Sequence, residues 1–140
     1  MANESTLCII KPDAVEAKYQ AKIIQRIIDE GFVIDALKQQ RLAREVAEGF
    51  YAIHRERPFF GELVEYMTSG PVIVIALRRD NAVSYWRQVI GATNPEKADA
   101  GTLRKQFGRS LTANALHGSD SVENGLRETA YFFTGTELGR

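Results

Sequence analysis

Residues 72–91 read "VIVIALRRDNAVSYWRQVIG". The apolar, β-branched run Val72–Leu77 predicts a strand, and Ala82, Val83, Trp86 and Ile90 then recur at the spacing of one helical face. A strand followed at once by an amphipathic helix belongs to a domain that mixes the two, and the rest of the chain repeats the theme. Upstream, Leu7–Ile10 predict a short strand that ends at "KPD", because proline has no amide to give a central strand. Ile23, Ile24, Ile27 and Ile28 predict a helix stopped by the glycine of "EGF", and Phe32–Leu37 predict another strand. Two further stripes, Val46/Ala47/Phe50 and Phe60/Leu63/Val64/Met67, fill the crossover to Val72, the second running to "SGP". Downstream, "AYFF" at Ala130–Phe133 predicts a fourth strand.

The order is strand, helix, strand, two helices, strand, helix, long loop, short helix, strand. It predicts an α+β fold, a ferredoxin-like two-layer sandwich with a four-stranded antiparallel sheet and flanking helices. With no repeat, low-complexity tract or Pro/Gly/Ser-rich linker, residues 1–140 are expected to form a single domain. The exception to the regular pattern is Gly91–Gly118, a long stretch of little periodicity. In a compact domain such a stretch is more often a binding element than a passive connection.

Composition narrows the function. Eighteen basic residues balance 18 acidic ones, so there is no bulk electrostatic footprint for nucleic acid or an anionic membrane, and any cations that bind a ligand must be individually placed. Cys8, the only cysteine, lies in the apolar run "TLCIIK" and reads as a buried core residue in a reducing compartment. "MANESTL" lacks the basic start and apolar stretch of a signal peptide, and no apolar run approaches the ~20 residues of a membrane span. A cytoplasmic protein is expected.

Motifs that would carry common chemistries are missing: G-x-x-x-x-G-K-[ST], G-x-G-x-x-G, H-E-x-x-H, C-x-x-C and G-x-S-x-G. Isolated cations near element ends remain, namely Lys11, Arg87 beside Trp86, and Arg104 in "GTLRKQF". So does His117, in "NALHGSDSVE" at 114–123. Asp120 reads as an N-cap and Glu123 as the partner of a capping box, so a helix should begin just after the imidazole. The unpaired amides and partial positive charge of such an end favour an anion such as a phosphoryl group. Taken alone, this still leaves His117 open as an ordinary loop histidine. His54, in "YAIHRERPFF", reads as a surface residue.

The same decamer resembles the N-x-x-H-G-S-D-S motif of nucleoside diphosphate kinases. The similarity continues in order through "TLCIIKPDAV", "FYAIHRERPFFGELVEYMTSGPV", "RQVIGATNP" and "GTLR". The resemblance implies transfer of the γ-phosphate of a nucleoside triphosphate, typically ATP, to a nucleoside diphosphate through a phosphohistidine, with Mg²⁺ carried on the nucleotide phosphates. It implies His117 as nucleophile through Nδ1. Lys11, Tyr51, Arg87, Thr93 and Arg104 are expected to hold the phosphates, and Asn114 with Lys11 to contact the sugar hydroxyls. Phe59 resembles the residue on which the base stacks; periodicity agrees only in that Phe60 fits the apolar stripe and Phe59 does not. Glu128 is expected to orient His117, with Ser119 as an intermediary. A homo-oligomer built from dimers, tetramer or hexamer, is also implied, with no membrane or specific nucleic-acid partner.

The chain departs from the family pattern in places. Ala21 stands where glycine is common, and in "AGTLRKQF" Ala100 replaces a proline and Gln106 an acid. The missing proline bears on subunit contacts, not on the chemistry. "RRD" at Arg78–Asp80 is more basic than usual. A catalytically silent nucleotide-binding domain is the alternative reading, since fold alone does not secure activity. The groups that separate the two readings, His117, Lys11, Tyr51, Asn114 and Arg104, are all present. An RNA-binding module of the same fold would need an aromatic RNP strand and a basic surface, and the sequence has neither.

Overall fold

Strands β1 (Asn3–Ile10) and β3 (Val72–Asp80) pair antiparallel along their lengths, from Asn3 opposite Asp80 to Ile10 opposite Ile73. This computed structural model describes residues 3–139; Met1, Ala2 and Arg140, at the ends of the expected domain, lie outside the described residues. Strand β2 (Val33–Gln40) flanks β3, with a register shift between Ile34 and Ala36, and β4 (Leu116–His117) flanks β1. The sheet order is β2-β3-β1-β4 with antiparallel neighbours, the ferredoxin-like arrangement expected.

Helices α2 (Gln20–Asp29) and α5 (Ala82–Ile90) make the two crossovers. They bury Ile23, Ile27, Trp86 and Ile90 against Cys8, Ile10, Ile73 and Ile75. The opposite face of the sheet is also covered. There Leu7, Ile9, Val72 and Val74 meet α3 (Arg44–Phe50), α4 (Phe60–Met67) and α7 (Val122–Phe132) through Phe50, Val64, Met67 and Phe132. Burial on both faces is why the two central strands are apolar without alternation. A short helix not expected from the sequence, α1 (Pro12–Glu16), follows β1, with proline at its start where a missing amide costs nothing.

The fourth strand is the main correction. Ala130–Phe133 is not a strand: it is the last turn of α7 followed by Phe133, and the fourth strand is Leu116–His117. Tyr131, Phe132 and Phe133 have high strand propensity, which is the pattern the sequence reading followed. The residues that α7 buries are Gly125, Glu128, Thr129 and Phe132, at helical spacing. Three of these four are not apolar, so no hydrophobic stripe announced the helix. Gly125 faces β1 so closely that a Cβ there would come 2.1 Å from the Ser5 carbonyl oxygen.

The basic "RRD" segment is structural. Arg78 pairs with Asp35 on the neighbouring strand at 3.1 Å. Arg79 stacks 3.8 Å from the Tyr85 ring centroid and donates to the Glu30 carbonyl at 3.0 Å.

Candidate active site

The chain leaves β1 at Lys11 and is tied at once to the segment that enters β4. Lys11 N–H donates to the Ala115 carbonyl at 2.8 Å, and Ala115 N–H donates to Asp13 Oδ2 at 3.1 Å. Leu116 N–H donates to the Asn114 carbonyl at 2.9 Å, closing a γ-turn whose central residue, Ala115, has φ 75°. A positive φ in a residue with a Cβ costs about 1–3 kcal/mol and persists only where its surroundings hold it.

The turn delivers His117 to the sheet edge opposite Ile9. His117 Nε2 lies 2.8 Å from Glu128 Oε1, and Ser119 Oγ donates to the same oxygen at 2.8 Å. Ser119 is therefore not interposed between imidazole and carboxylate, as was expected; it supports the carboxylate from the side. Its own hydroxyl oxygen accepts from Leu7 N–H at 3.0 Å, and its amide donates to Thr6 Oγ1 at 3.2 Å, so β1 fixes it from both ends. The cap of α7 is also shifted by one residue. Ser121, not Asp120, is the N-cap, its side chain accepting from Asn124 N–H at 3.0 Å, so no Asp120/Glu123 capping box forms. Asp120 accepts from Asn124 Nδ2 at 2.5 Å instead, and that bond first, with Arg87 and His117 nearby, holds its carboxyl below the usual range.

Cations gather on the other side of the histidine. Lys11, 8% exposed, donates from Nζ to Asn114 Oδ1 at 2.7 Å, and Asn114 Nδ2 donates to the Thr93 carbonyl at 3.0 Å. Burial, aided by Arg104 and opposed by Asp13, pushes the Lys11 ammonium down to about 8. Arg104 sits on α6 (Leu103–Phe107), a short helix inside the long loop whose cap, Thr102, accepts from Lys105 N–H at 3.3 Å. It donates to the Gly91 carbonyl at 3.0 Å and the Leu116 carbonyl at 2.8 Å. Its Nε is buried without a partner, and burial, then Arg87, push the guanidinium down to about 10. Tyr51 is buried with its hydroxyl unpartnered, and burial together with Glu128 pushes its pKa up. Buried cations and unpartnered donors at one place suit an anionic ligand.

Three hollows converge on Gly118, and two of them reach His117. One of about 390 Å³ runs from Lys11, Asn114 and His117 out to Phe59, Glu62 and Leu111. A second, about 450 Å³, shares Thr93 and Arg104 with the first and adds Arg87, and a third, about 170 Å³, holds Tyr51, His54, Arg87 and Glu128. All ten expected residues are accounted for: nine line these hollows, and the tenth, buried Ser119, supports Glu128 from behind. Phe59 is 47% exposed at the mouth, whereas Phe60 packs into the core. His54 is half-buried, its ring centroid 5.5 Å from that of Phe59, and so belongs to the wall of the site and not to the open surface. Sequence reasoning missed Leu111, 60% exposed in a polar loop, where a lone apolar side chain was the available signal. Among the described residues no three His, Cys, Asp or Glu side chains stand together as a metal-binding group.

Comparison with known proteins agrees with this geometry. The family model described as "Nucleoside diphosphate kinase" matches residues 4–138. Nucleoside diphosphate kinases of Histophilus somni and Rhodospirillum centenum are each 54% identical over 138 residues, 99% of this chain and 98% and 99% of theirs. The solved structure of the Aquifex aeolicus nucleoside diphosphate kinase superposes with a TM-score of 0.95 at 47% identity, covering 97% of this chain and 99% of that one. A halophilic nucleoside diphosphate kinase from Halobacterium salinarum, solved in complex with CDP, gives 0.93 at 36% identity, covering 97% and 91%.

Proposed function

The chain belongs to the nucleoside diphosphate kinase family, and from that premise we propose how its cleft carries a phosphoryl group between nucleotides. The enzyme transfers the terminal phosphate of a nucleoside triphosphate to a nucleoside diphosphate. The observation that carries the assignment of roles is the His117–Glu128 pair. With Nε2–H given to Glu128, the imidazole is held in the tautomer whose lone pair is on Nδ1, and no described residue hydrogen-bonds to that atom. Nδ1 attacks the γ-phosphorus, the bond to the β-phosphate oxygen breaks, and the diphosphate leaves with the electron pair. The terminal oxygen of a second nucleoside diphosphate then attacks the phosphohistidine and the neutral imidazole leaves. Two similar half-reactions replace one difficult transfer, and a single nucleotide site serves both.

Lys11, Arg87 and Arg104 oppose the charge spread over leaving oxygen, phosphoryl group and acceptor, with Thr93 and Tyr51 completing the phosphate contacts. Glu128 offsets the positive charge that the imidazole acquires when phosphorylated. Asn114 and Lys11 meet the sugar hydroxyls, and Phe59 offers a face to any base, which implies broad base tolerance. The donor set here is cationic and suits phosphate oxygens, so Mg²⁺ belongs on the nucleotide, not on protein ligands. Bound there, it neutralises phosphate charge.

The same reading places residues 1–140 in one domain, working in the cytoplasm as a homo-oligomer built from dimers, tetramer or hexamer. Support for self-association comes from edge strand β2 and the neighbouring helix α2, where Val33, Leu37 and Ile28 are 46%, 44% and 55% exposed. A silent nucleotide-binding role is not favoured, since the relatives are named as kinases and the separating residues are all in place. Incubation with γ-labelled ATP and Mg²⁺, without acceptor, tests the reading. It should give an acid-labile, base-stable phosphoprotein that transfers its label to added diphosphate and is absent in His117→Gln. Label retained in that variant, or none in the parent, overturns it.

A further inference from the structure

The chemistry above leaves one buried carboxylate without a role. Asp13 is 6% exposed, and both of its oxygens are engaged: Oδ1 accepts from the Tyr66 hydroxyl, and Oδ2 accepts from Ala115 N–H at 3.1 Å. The Asp13 amide donates back to the Tyr66 oxygen at 3.0 Å. Two distant elements therefore meet on this side chain. Tyr66 lies in α4, the helix whose N-cap is Phe59, and Ala115 is the centre of the γ-turn two residues before His117.

That turn needs an external holder. Ala115 is fully buried at φ 75°, so without Asp13 its amide would be both unpaired and attached to an unfavourable backbone conformation. The strand that follows cannot compensate, because β4 has only Leu116 and His117, paired with Ile10 and Ile9. Asn114, by contrast, is held independently through Lys11 Nζ and the Thr93 carbonyl. Relaxation of the turn should displace the imidazole most, since it reaches the nucleotide contacts only through the Lys11 amide on the Ala115 carbonyl and one Arg104 nitrogen on the Leu116 carbonyl.

We propose that Asp13 and Tyr66 are positioning residues for phosphoryl transfer, which together lock the Ala115 turn and so set where His117 stands relative to the bound phosphate. The proposal rests on His117 being the phosphate carrier. A displacement of about 1 Å at a reacting atom costs on the order of 100-fold in rate.

The test is single-turnover phosphorylation of the full chain by γ-labelled ATP and Mg²⁺, alongside the nucleotide dissociation constant and the melting temperature, for Asp13→Ala, Asp13→Asn and Tyr66→Phe. The expected result is a fall of about 10- to 100-fold in the phosphorylation rate constant for Asp13→Ala, with nucleotide affinity changed by less than about threefold. Tyr66→Phe, which keeps the ring and its packing, should fall by a smaller factor without loss of fold. Asp13→Asn should rank above Asp13→Ala, because its amide oxygen still accepts from Ala115. A merely structural role would lower the melting temperature while leaving the rate constant of the folded fraction at the parent value, and that result overturns the proposal. So does equal impairment of Asp13→Asn and Asp13→Ala, or parent-like rates in Tyr66→Phe. If the parent itself takes up no label, it is the carrier role of His117 that has failed, not the positioning.

Discussion

His117 Nε2 and Glu128 Oε1 stand 2.8 Å apart although they belong to different elements, a two-residue strand and the second turn of α7. The contact fixes the ring about its own axis, and it puts a negative charge where phosphorylation creates a positive one. Glu128→Gln separates these two effects. Glutamine can still accept from Nε2–H but cannot offset the charge, so phosphorylation by labelled ATP should slow on the order of 100-fold while nucleotide binding changes little. Rapid-quench kinetics beside equilibrium nucleotide titration would check it; a parent-like rate would remove Glu128 from the mechanism.

Lys11 gives the site a pH dependence of definite sign. Its ammonium is pushed down to about 8 by burial, so in the free enzyme it loses its charge as pH rises through that value. Phosphate binding favours the charged form, and nucleotide affinity should weaken from pH 7 to 9. Lys11→Arg, which stays charged, should flatten that slope even if its affinity is poorer. Stability moves the other way. The folded chain releases this proton near 8 and the unfolded chain near 10.5, so between those values the unfolded state holds more protons and the Lys11 contribution to stability rises with pH. Calorimetric nucleotide titrations and denaturant melts across pH 7–10 would show the opposed trends.

Arg104 spans Gly91 and Leu116 through two nitrogens while keeping Nε unpartnered. A lysine gathers its donors on one nitrogen and lacks the planar fork that reaches both carbonyls while leaving Nε–H free. Arg104→Lys should therefore lose turnover by about 100-fold or more despite conserving charge, and Arg104→Ala should lose at least as much with the fold intact. Steady-state kinetics and far-UV circular dichroism measure the two outcomes.

Phe59 and Phe60 are neighbours with different expected costs. Phe59, half exposed at the cleft mouth, should on change to alanine raise KM for purine and pyrimidine nucleotides alike by roughly 10-fold, with unfolding free energy within about 0.5 kcal/mol of the parent. Phe60, packed against the core, should instead lose about 1–3 kcal/mol of stability on the same change. Coupled kinetics and urea titration on the pair would reveal any exchange of these roles.

Much of this architecture was legible in the residues themselves. Val72–Leu77, the Ile23/Ile27 stripe and the Ala82–Ile90 stripe each announce an element because apolar burial imposes a period on them. The last strand, and the length of the last helix beyond its capped start, were not legible for the converse reason. Helix α7 presents glycine, glutamate and threonine to the sheet, and β4 is too short to have a period. Single residues of the site were recognisable by their ordered motifs, but their mutual support was not. That Asp13, Tyr66 and Ala115 meet depends on β1 lying beside β4 and α4 covering the same end of the sheet, relations that no local pattern carries.

Gly125 has no side chain to offer a nucleotide, yet its bare backbone lets α7 settle on the Ser5 carbonyl, and one turn further along the same helix carries Glu128. Any added carbon must lift the helix and take the carboxylate with it. In an unbiased mutational screen scored by activity, position 125 would therefore rank with the reacting groups, and a map of sensitivity drawn on the surface would point into the back of the molecule. Intolerance at that position measures the thickness of a layer, not proximity to a substrate.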